Sequence, residues 1–174
     1  MGALLGTQPV DNEPFQRLDI RDLYLTVKTE DDIETAIKAM LAVMTIPEKV
    51  GQLRQINYNK GSLDDSTKKQ IAQGLISSVL WPSSVNCMNE IQKTAMEESR
   101  MKIPLIIGKD IIHGFRTVFP IPLAQAASFN PDFVEAGSRV SAIEATTLGV
   151  RWTFSPMMDI ARDPRWGRIA EGYG

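Results

Sequence analysis

The stretch from Trp152 to Gly174, WTFSPMMDIARDPRWGRIAEGYG, gathers most of the groups able to do chemistry. An apolar run reaches Asp159, after which Arg162, Asp163, Arg165, Arg168 and Glu171 follow, punctuated by Pro164 and Gly167. Trp152 and Trp166 bracket these carboxylates and guanidiniums. Flat apolar ring faces beside bidentate donors and carboxylates suit a polyhydroxylated ring, whose C–H face lies on an aromatic surface while its hydroxyls take charge-assisted hydrogen bonds. The same residues equally describe a structural knot, in which Asp163 pairs with Arg168 and Trp166 plugs the end of a core. A nucleic-acid surface is disfavoured, because the arginines alternate with acids and leave no surplus of positive charge.

Other polar positions carry weaker signals. Asp110 ends the apolar run IPLIIGKD, where a carboxylate either faces a ligand or caps the following segment. His113 is the one histidine of the chain. With no second histidine and no serine or cysteine elbow beside it, neither a histidine-rich metal site nor a nucleophilic triad is supported, and a structural role before Gly114 is the better reading. Asp159 reads as a loop anchor. Cys87, the single cysteine, lies in an apolar helical pattern as buried filler and cannot form an internal disulfide.

The elements that must position these groups alternate between helix and strand. Residues 10–28 are ambiguous, with extended character in Leu23–Val27. From Asp31 to Met44, Ile33, Ala36, Ile37, Met40, Leu41 and Met44 recur at helical spacing and predict one buried face. Thr45 and Glu48 form a capping box, with Val50 and Leu53 continuing an apolar face, and residues 52–58 follow as a first strand. Residues 62–73 read as a polar helix and LISSVLW, ended by Pro82, as a strand. Ser84 opens a helix with Val85, Met88, Ile91 and Ala95 inward, ending near Met101. Residues 103–110 form a continuous apolar run, as expected of a parallel strand covered on both faces. Asn130 and Pro131 begin a helix predicted to turn Phe133, Val140 and Ile143 inward before Gly149, and a last strand covers Trp152–Asp159.

Strand–helix alternation of this kind builds right-handed βαβ units on a parallel sheet. At 174 residues, 43% hydrophobic and 23% charged, the chain has the composition of a soluble globular domain. It is too short for a closed eight-stranded α/β barrel of about 250 residues. Half a barrel and an open doubly wound sheet both fit the pattern. A net charge of −2 and a pI near 5.5 exclude a general attraction to nucleic acid or acidic membranes. No apolar run approaches the roughly 20 residues of a membrane span, and MGALLGTQPV lacks the pattern of a signal peptide.

The segment RDPRWGR with the following EGYG, preceded by IPLIIGKDIIHG and TVFPIPLAQAASFNP and, more loosely, by MTIPEKVGQLRQ, resembles glycoside hydrolase family 3, the β-glucosidase and exo-β-glucanase type. The resemblance covers about Met44–Gly174. It implies an α/β fold, a partial (β/α)8 TIM barrel of about the first four βα units, with residues 1–44 as an N-terminal extension and helix and residues 45–174 as the truncated N-terminal half of the barrel. It also implies that Asp110 and Arg168 bind hydroxyls of the sugar next to the scissile bond. Asp163 would be an orienting partner of Arg168, Arg162 and Arg165 structural, and Glu171 stands open between an orienting and a structural role. Lys109 departs from the small or apolar residue expected before that aspartate; pointing into the barrel, it would bring a charge close to Asp110.

The chemistry implied is retaining hydrolysis of terminal β-D-glucosyl residues by a carboxylate nucleophile and a carboxylic acid about 5–5.5 Å apart. It needs no cofactor and no metal. Both carboxyl groups, and a Lys–His pair that also grips the sugar, are expected beyond Gly174, so none of the residues present is assigned a catalytic role. The chain is expected to be a fragment, inactive alone, that needs the missing C-terminal portion or self-association to cover a sheet edge. Its partner is then a β-glucoside or oligosaccharide, with neither nucleic acid nor membrane, and its location periplasmic or secreted. β-Xylosidase, arabinofuranosidase or exo-β-glucanase activity on the same scaffold, and a non-catalytic carbohydrate-binding or assembly half, are the alternatives. The N-acetylglucosaminidase branch is disfavoured by RDPRWGR.

Overall fold

The computed structural model describes residues 28–174, so the expected extended segment Leu23–Val27 lies outside the described residues. Its centre is a sheet of four parallel strands in the order β1-β2-β3-β4, made of Gln55–Asn57, Ser78–Leu80, Ile106–Lys109 and Trp152–Thr153. Strands adjacent in sequence are adjacent in space. Helices fill the crossovers: α3 (Asp65–Ala72) before β2, α4 (Val85–Lys93) before β3, and α5 (Pro122–Ala126) and α6 (Pro131–Thr147) before β4. Two helices, α1 (Glu30–Val43) and α2 (Ile46–Gly51), precede β1. This is a partial α/β barrel of four units, as the resemblance implied.

Every helix but α5 starts where a side chain satisfies backbone N–H groups that have no partner in the first turn. Thr45 and Glu48 form the expected capping box on α2: the Thr45 N–H donates to Glu48 Oε2 at 2.8 Å and the Glu48 N–H to Thr45 Oγ1. Asp64, Ser84 and Asn130 cap α3, α4 and α6. The backbone N–H of Thr67, then Lys60 and Tyr58, hold the Asp64 carboxyl far below the usual carboxylate range. A π-helical turn, Thr94–Glu98, extends α4.

Register explains the core. Ile56, Val79 and Ile107 stand opposite one another across β1–β3, and with Ile71, Cys87, Ile91 and Ala145 they form the layer between sheet and helices. Burial there pushes the Cys87 thiol up, away from reactivity. The opposite face of the sheet carries Leu80, Gly108 and Trp152 in register. On this face, the lumen side away from the helices, the Phe154 ring lies against the Gly108 backbone, where a Cβ would meet it at 3.1 Å and Leu80 at 3.7 Å.

Several expectations about packing fail. Helix α1 forms with its own capping box, and of its predicted face Met44, the C-cap residue, is buried, but none of the residues within the helix is, and Ile33, Ile37 and Leu41 are exposed, as are Val50 and Leu53. Helical spacing fixes which side chains share a face and says nothing about what covers it. On α6, Phe133 is 71% exposed, and Val140 and Ile143 are also exposed. The helix instead approaches through Gly137, Ser141 and Ala145, four residues apart, whose small side chains let the Phe119 ring lie 3.3 Å from a Cβ at Gly137. The last strand ends at Thr153 rather than Asp159, because β3 ends at Lys109 and offers no further ladder, and Pro156 has no N–H to donate. Beyond it, Met157 bridges to Gly172.

Candidate functional site

Asp110 follows the last residue of β3 and is half-buried. Continuing the alternation of the strand, it falls on the Gly108 side, while Lys109 falls with Ile107 on the helix side. The Lys109 ammonium sits 5.6 Å from the Trp81 ring centroid and 5.5 Å from that of Phe115, a ring packed against the core. Burial pushes its pKa down, and the two ring faces, which favour the charged form, act against that. The departure at Lys109 is thus directed away from Asp110 into an aromatic slot.

Arg168 stands just before a short 3-10 turn, Ile169–Glu171. Residues three apart eclipse in that geometry, so Glu171 accepts from Arg168 Nε at 2.9 Å and from Nη2 at 2.6 Å. Nη2 also reaches Met157 Sδ at 3.5 Å. The expected Asp163–Arg168 pairing does not occur. Asp163 lies in a turn closed by the Trp166 N–H to its carbonyl, and Arg165, two residues on, folds back onto its carboxylate through Nε and Nη2. The side-chain hydrogen bond from Arg165 lowers the Asp163 pKa, and that from Arg168 lowers Glu171. The Arg165 side chain is 89% exposed, so this pair holds the turn and little else.

The Arg168 pKa is raised, chiefly by Glu171, and Asp159 and Asp110 add Coulombic attraction. Attraction from Asp110 thus reaches Arg168 although the two stand 58 positions apart in the sequence. On the lumen side, Trp152 and Phe154 present paired rings with centroids 4.7 Å apart. Trp152 thus pairs with Phe154, while Trp166 belongs to the Asp163 turn.

A cavity of about 650 Å³ opens between α6, the loop after β3 and the segment after β4. His113, Phe119, Ser141, Ser155, Asp159 and Tyr173 line it, and Asp110 and Arg168 do not. His113 donates its Nδ1–H to the Phe119 carbonyl at 2.9 Å, while the Phe119 N–H donates to the His113 carbonyl at 2.7 Å, so the histidine closes a loop. Among the described residues no group of three or more His, Cys, Asp and Glu side chains could hold a metal ion, and no helix is long and apolar enough to cross a membrane.

Sequence reasoning missed the residues that hold the loop after Asp110. Ser155 Oγ donates to the Ile111 carbonyl at 2.7 Å, and Glu144, on α6, accepts three hydrogen bonds from Arg116 and Thr117. Both act across 27 or more positions, and no local pattern announces them.

The family model of the glycosyl hydrolase family 3 N-terminal domain matches residues 45–174. The periplasmic β-glucosidase of Salmonella typhimurium is 40% identical over 146 residues, which are 84% of this chain and 19% of that protein. A putative β-xylosidase of Formosa agariphila is 32% identical over 82% of this chain and 21% of its own length. The crystal structure of a β-glucosidase from Listeria innocua in complex with glucose superposes with a TM-score of 0.70 at 38% identity, covering 81% of this chain and 21% of that one. The chain thus spans about a fifth of the length of the relatives it matches.

Proposed function

Because the chain belongs to glycosyl hydrolase family 3, we propose that it forms part of the glucose-binding subsite of a retaining β-glucosidase acting on terminal non-reducing β-D-glucosyl residues. The observation that carries this reading is the match of residues 45–174 to the family's N-terminal domain, and the Coulombic attraction that Asp110 exerts on Arg168 supports it. Asp110 accepts hydrogen bonds from two neighbouring sugar hydroxyls through its two oxygens, which fixes ring orientation and epimer preference. Arg168 donates to the same sugar and keeps its charge at every working pH.

Bond cleavage belongs to a carboxylate nucleophile and a carboxylic acid, and neither role is given to Asp110 or Asp159. By itself the chain binds and does not hydrolyse. Hydrolysis needs the later barrel strands as well, and its setting is the periplasm or outside the cell, as the likeness to a periplasmic relative supports. The exposed Phe133, Val140 and Ile143 of α6 are an apolar face suited to that contact. A second reading, a β-xyloside subsite, is supported by the putative β-xylosidase of F. agariphila.

Calorimetry with glucose and with xylose, on the chain alone and mixed with a polypeptide carrying the later strands, tests both. Replacing Asp110 by alanine removes two hydrogen bonds to a charged acceptor, each worth about 1.5 kcal/mol at the low end, so glucose affinity should fall roughly 100-fold. An Asp110→Ala protein that binds glucose as tightly as the wild type would end this assignment. Tighter xylose than glucose binding would favour the second reading.

A further inference from the structure

The backbone on either side of Asp110 is held by different means. Lys109 is fixed in the β3 ladder, opposite Thr153. On the other side, the segment from Ile111 to Phe119 leaves the sheet and returns to α5 without regular structure, apart from a bridge between Gly114 and Val118. That bridge needs a glycine: Gly114 has φ of +122°, and a Cβ there would come 2.1 Å from the Thr117 carbonyl oxygen.

Glu144 ties the tip of this turn to the long helix α6. Its Oε2 accepts from the Arg116 N–H at 2.8 Å and the Thr117 N–H at 2.9 Å, and its Oε1 accepts from Thr117 Oγ1 at 2.6 Å. Two successive backbone N–H groups converging on one carboxylate oxygen make a small anion seat, filled here by the protein's own side chain. The hydrogen bonds of Thr117 and of the Arg116 N–H, with the Arg116 charge, keep the Glu144 carboxyl below its ordinary pKa. The base of the turn is closed by the His113–Phe119 pair of bonds, and the Phe119 ring rests on Gly137, two helical turns before Glu144. Ser155 holds the Ile111 carbonyl at the start. The loop therefore has three ties, and Glu144 is the one that is charged and anchored on a rigid 17-residue helix.

We propose that Glu144 is a positioning residue: its carboxylate sets the loop 111–119 and, through it, the placement of Asp110 for the sugar. The idea rests on the subsite reading above for its ligand, and on the loop geometry alone for its mechanism. It assigns Glu144 no contact with the substrate. The turn tip, the His113 closure and the Ile111 tie act in series, so loss of the seat at Arg116–Thr117 loosens the backbone back towards Asp110.

The test is residue-resolved amide hydrogen exchange together with glucose binding, on the wild-type chain and on Glu144→Ala, Glu144→Gln and Glu144→Asp. In Glu144→Ala, exchange at Arg116 and Thr117, and at Phe119, whose N–H closes the loop base on the His113 carbonyl, should rise about tenfold or more, the loss of roughly one net hydrogen bond, while Val79, Ile91 and Ile107 in the core keep their protection. Glutamine retains a carbonyl acceptor and should fall between, and glucose affinity should follow the same order. If Glu144→Ala does not fold, Thr117→Val removes one donor and should give a smaller rise at the same amides. Faster exchange confined to Arg116 and Thr117, with Phe119 unchanged, would reduce Glu144 to a local cap and overturn the proposal, as would unaltered glucose affinity in a loosened loop. A wild-type chain that fails to bind glucose would remove the subsite reading, and the exchange at Phe119, which closes the loop base, then decides the positioning role without it.

Discussion

The Glu48–Arg100 pair joins α2 to the segment leading into β3, across 52 positions of sequence. Glu48 has a side chain only 9% exposed and accepts from Thr45 N–H, Thr45 Oγ1, Arg100 Nε and Arg100 Nη2. Arg100 Nη2 also donates to the Val43 carbonyl at 3.0 Å, which pins the end of α1. Replacing Arg100 by methionine keeps much of the stem and removes both bonds to the carboxylate. Breaking a fully buried pair costs about 3–5 kcal/mol. Arg100 is 55% exposed, however, so water recovers part of the interaction and about 2 kcal/mol is the expected loss. In a chain of this size that lowers Tm by about 4–8 °C.

The same substitution has a signature in pH. Burial alone would raise the Glu48 carboxyl, but the bonds from Arg100 and Thr45 outweigh it and hold the group below its ordinary 4.5. A depressed carboxyl binds fewer protons in the folded than in the unfolded chain, so its contribution is present above 4.5 and is lost as pH falls through the folded value. In Arg100→Met the main opposing bonds are gone and burial pushes Glu48 up, so the acid loss should begin nearer neutrality. Thermal melts by circular dichroism from about pH 8 to pH 3 measure both effects. A variant melting within about 1 °C of the wild type at neutral pH, with the same acid limb, would show that the pair is solvated and contributes nothing.

Two further substitutions probe the frame. Gly51→Ala should destabilise by about 1–3 kcal/mol, because its Cβ would lie 2.1 Å from the Gly74 carbonyl oxygen and 2.7 Å from Leu75 Cα, both backbone; an unchanged urea midpoint would refute the close approach of α2. Lys109→Met should raise Tm at neutral pH, since burial lowers the Lys109 pKa, so the folded chain holds fewer protons and wild-type stability climbs between that value and 10.5. The gap should close towards pH 10.5, whereas a lower Tm in the variant would show that the Trp81 and Phe115 faces outweigh burial.

What the sequence disclosed depended on the range over which each feature acts. The caps at Thr45, Ser84 and Asn130 are contacts over two or three residues, and each stands where the pattern placed it. Met88, Ile91 and Ala95 are buried as their helical spacing implied, because α4 crosses between two strands and must face the sheet. Val85, at the first turn, is exposed. The faces of α1 and α6 were misread because amphipathic spacing is blind to the surface opposite. On α6, closeness is set by Gly137, Ser141 and Ala145, and small residues leave almost no hydrophobic signal. The swap of partners within RDPRWGR has a similar origin. Whether Arg168 meets Asp163 or Glu171 depends on a turn conformation that charge spacing does not specify.

The two proposed sugar contacts are supported at different ranges, and this bears on how the site is set. A guanidinium has five N–H donors. Glu171 occupies Nε and one hydrogen of Nη2, and Met157 lies near Nη2, so Nη1 keeps both donors for a hydroxyl. Arg168 is thereby held in place before any ligand arrives, and binding avoids much of the roughly 0.5–1.5 kcal/mol of ordering that a free side chain requires. That preorganisation is local, held within the run from Arg168 to Glu171. Asp110 has no such neighbour. Its orientation comes from Ser155 on the Ile111 carbonyl and Glu144 on the turn at Thr117, both brought in by the packing of β4 and α6 against β3. The arginine can therefore be correctly posed in a loosely packed chain, whereas the aspartate is posed only when the fourth βα unit is docked.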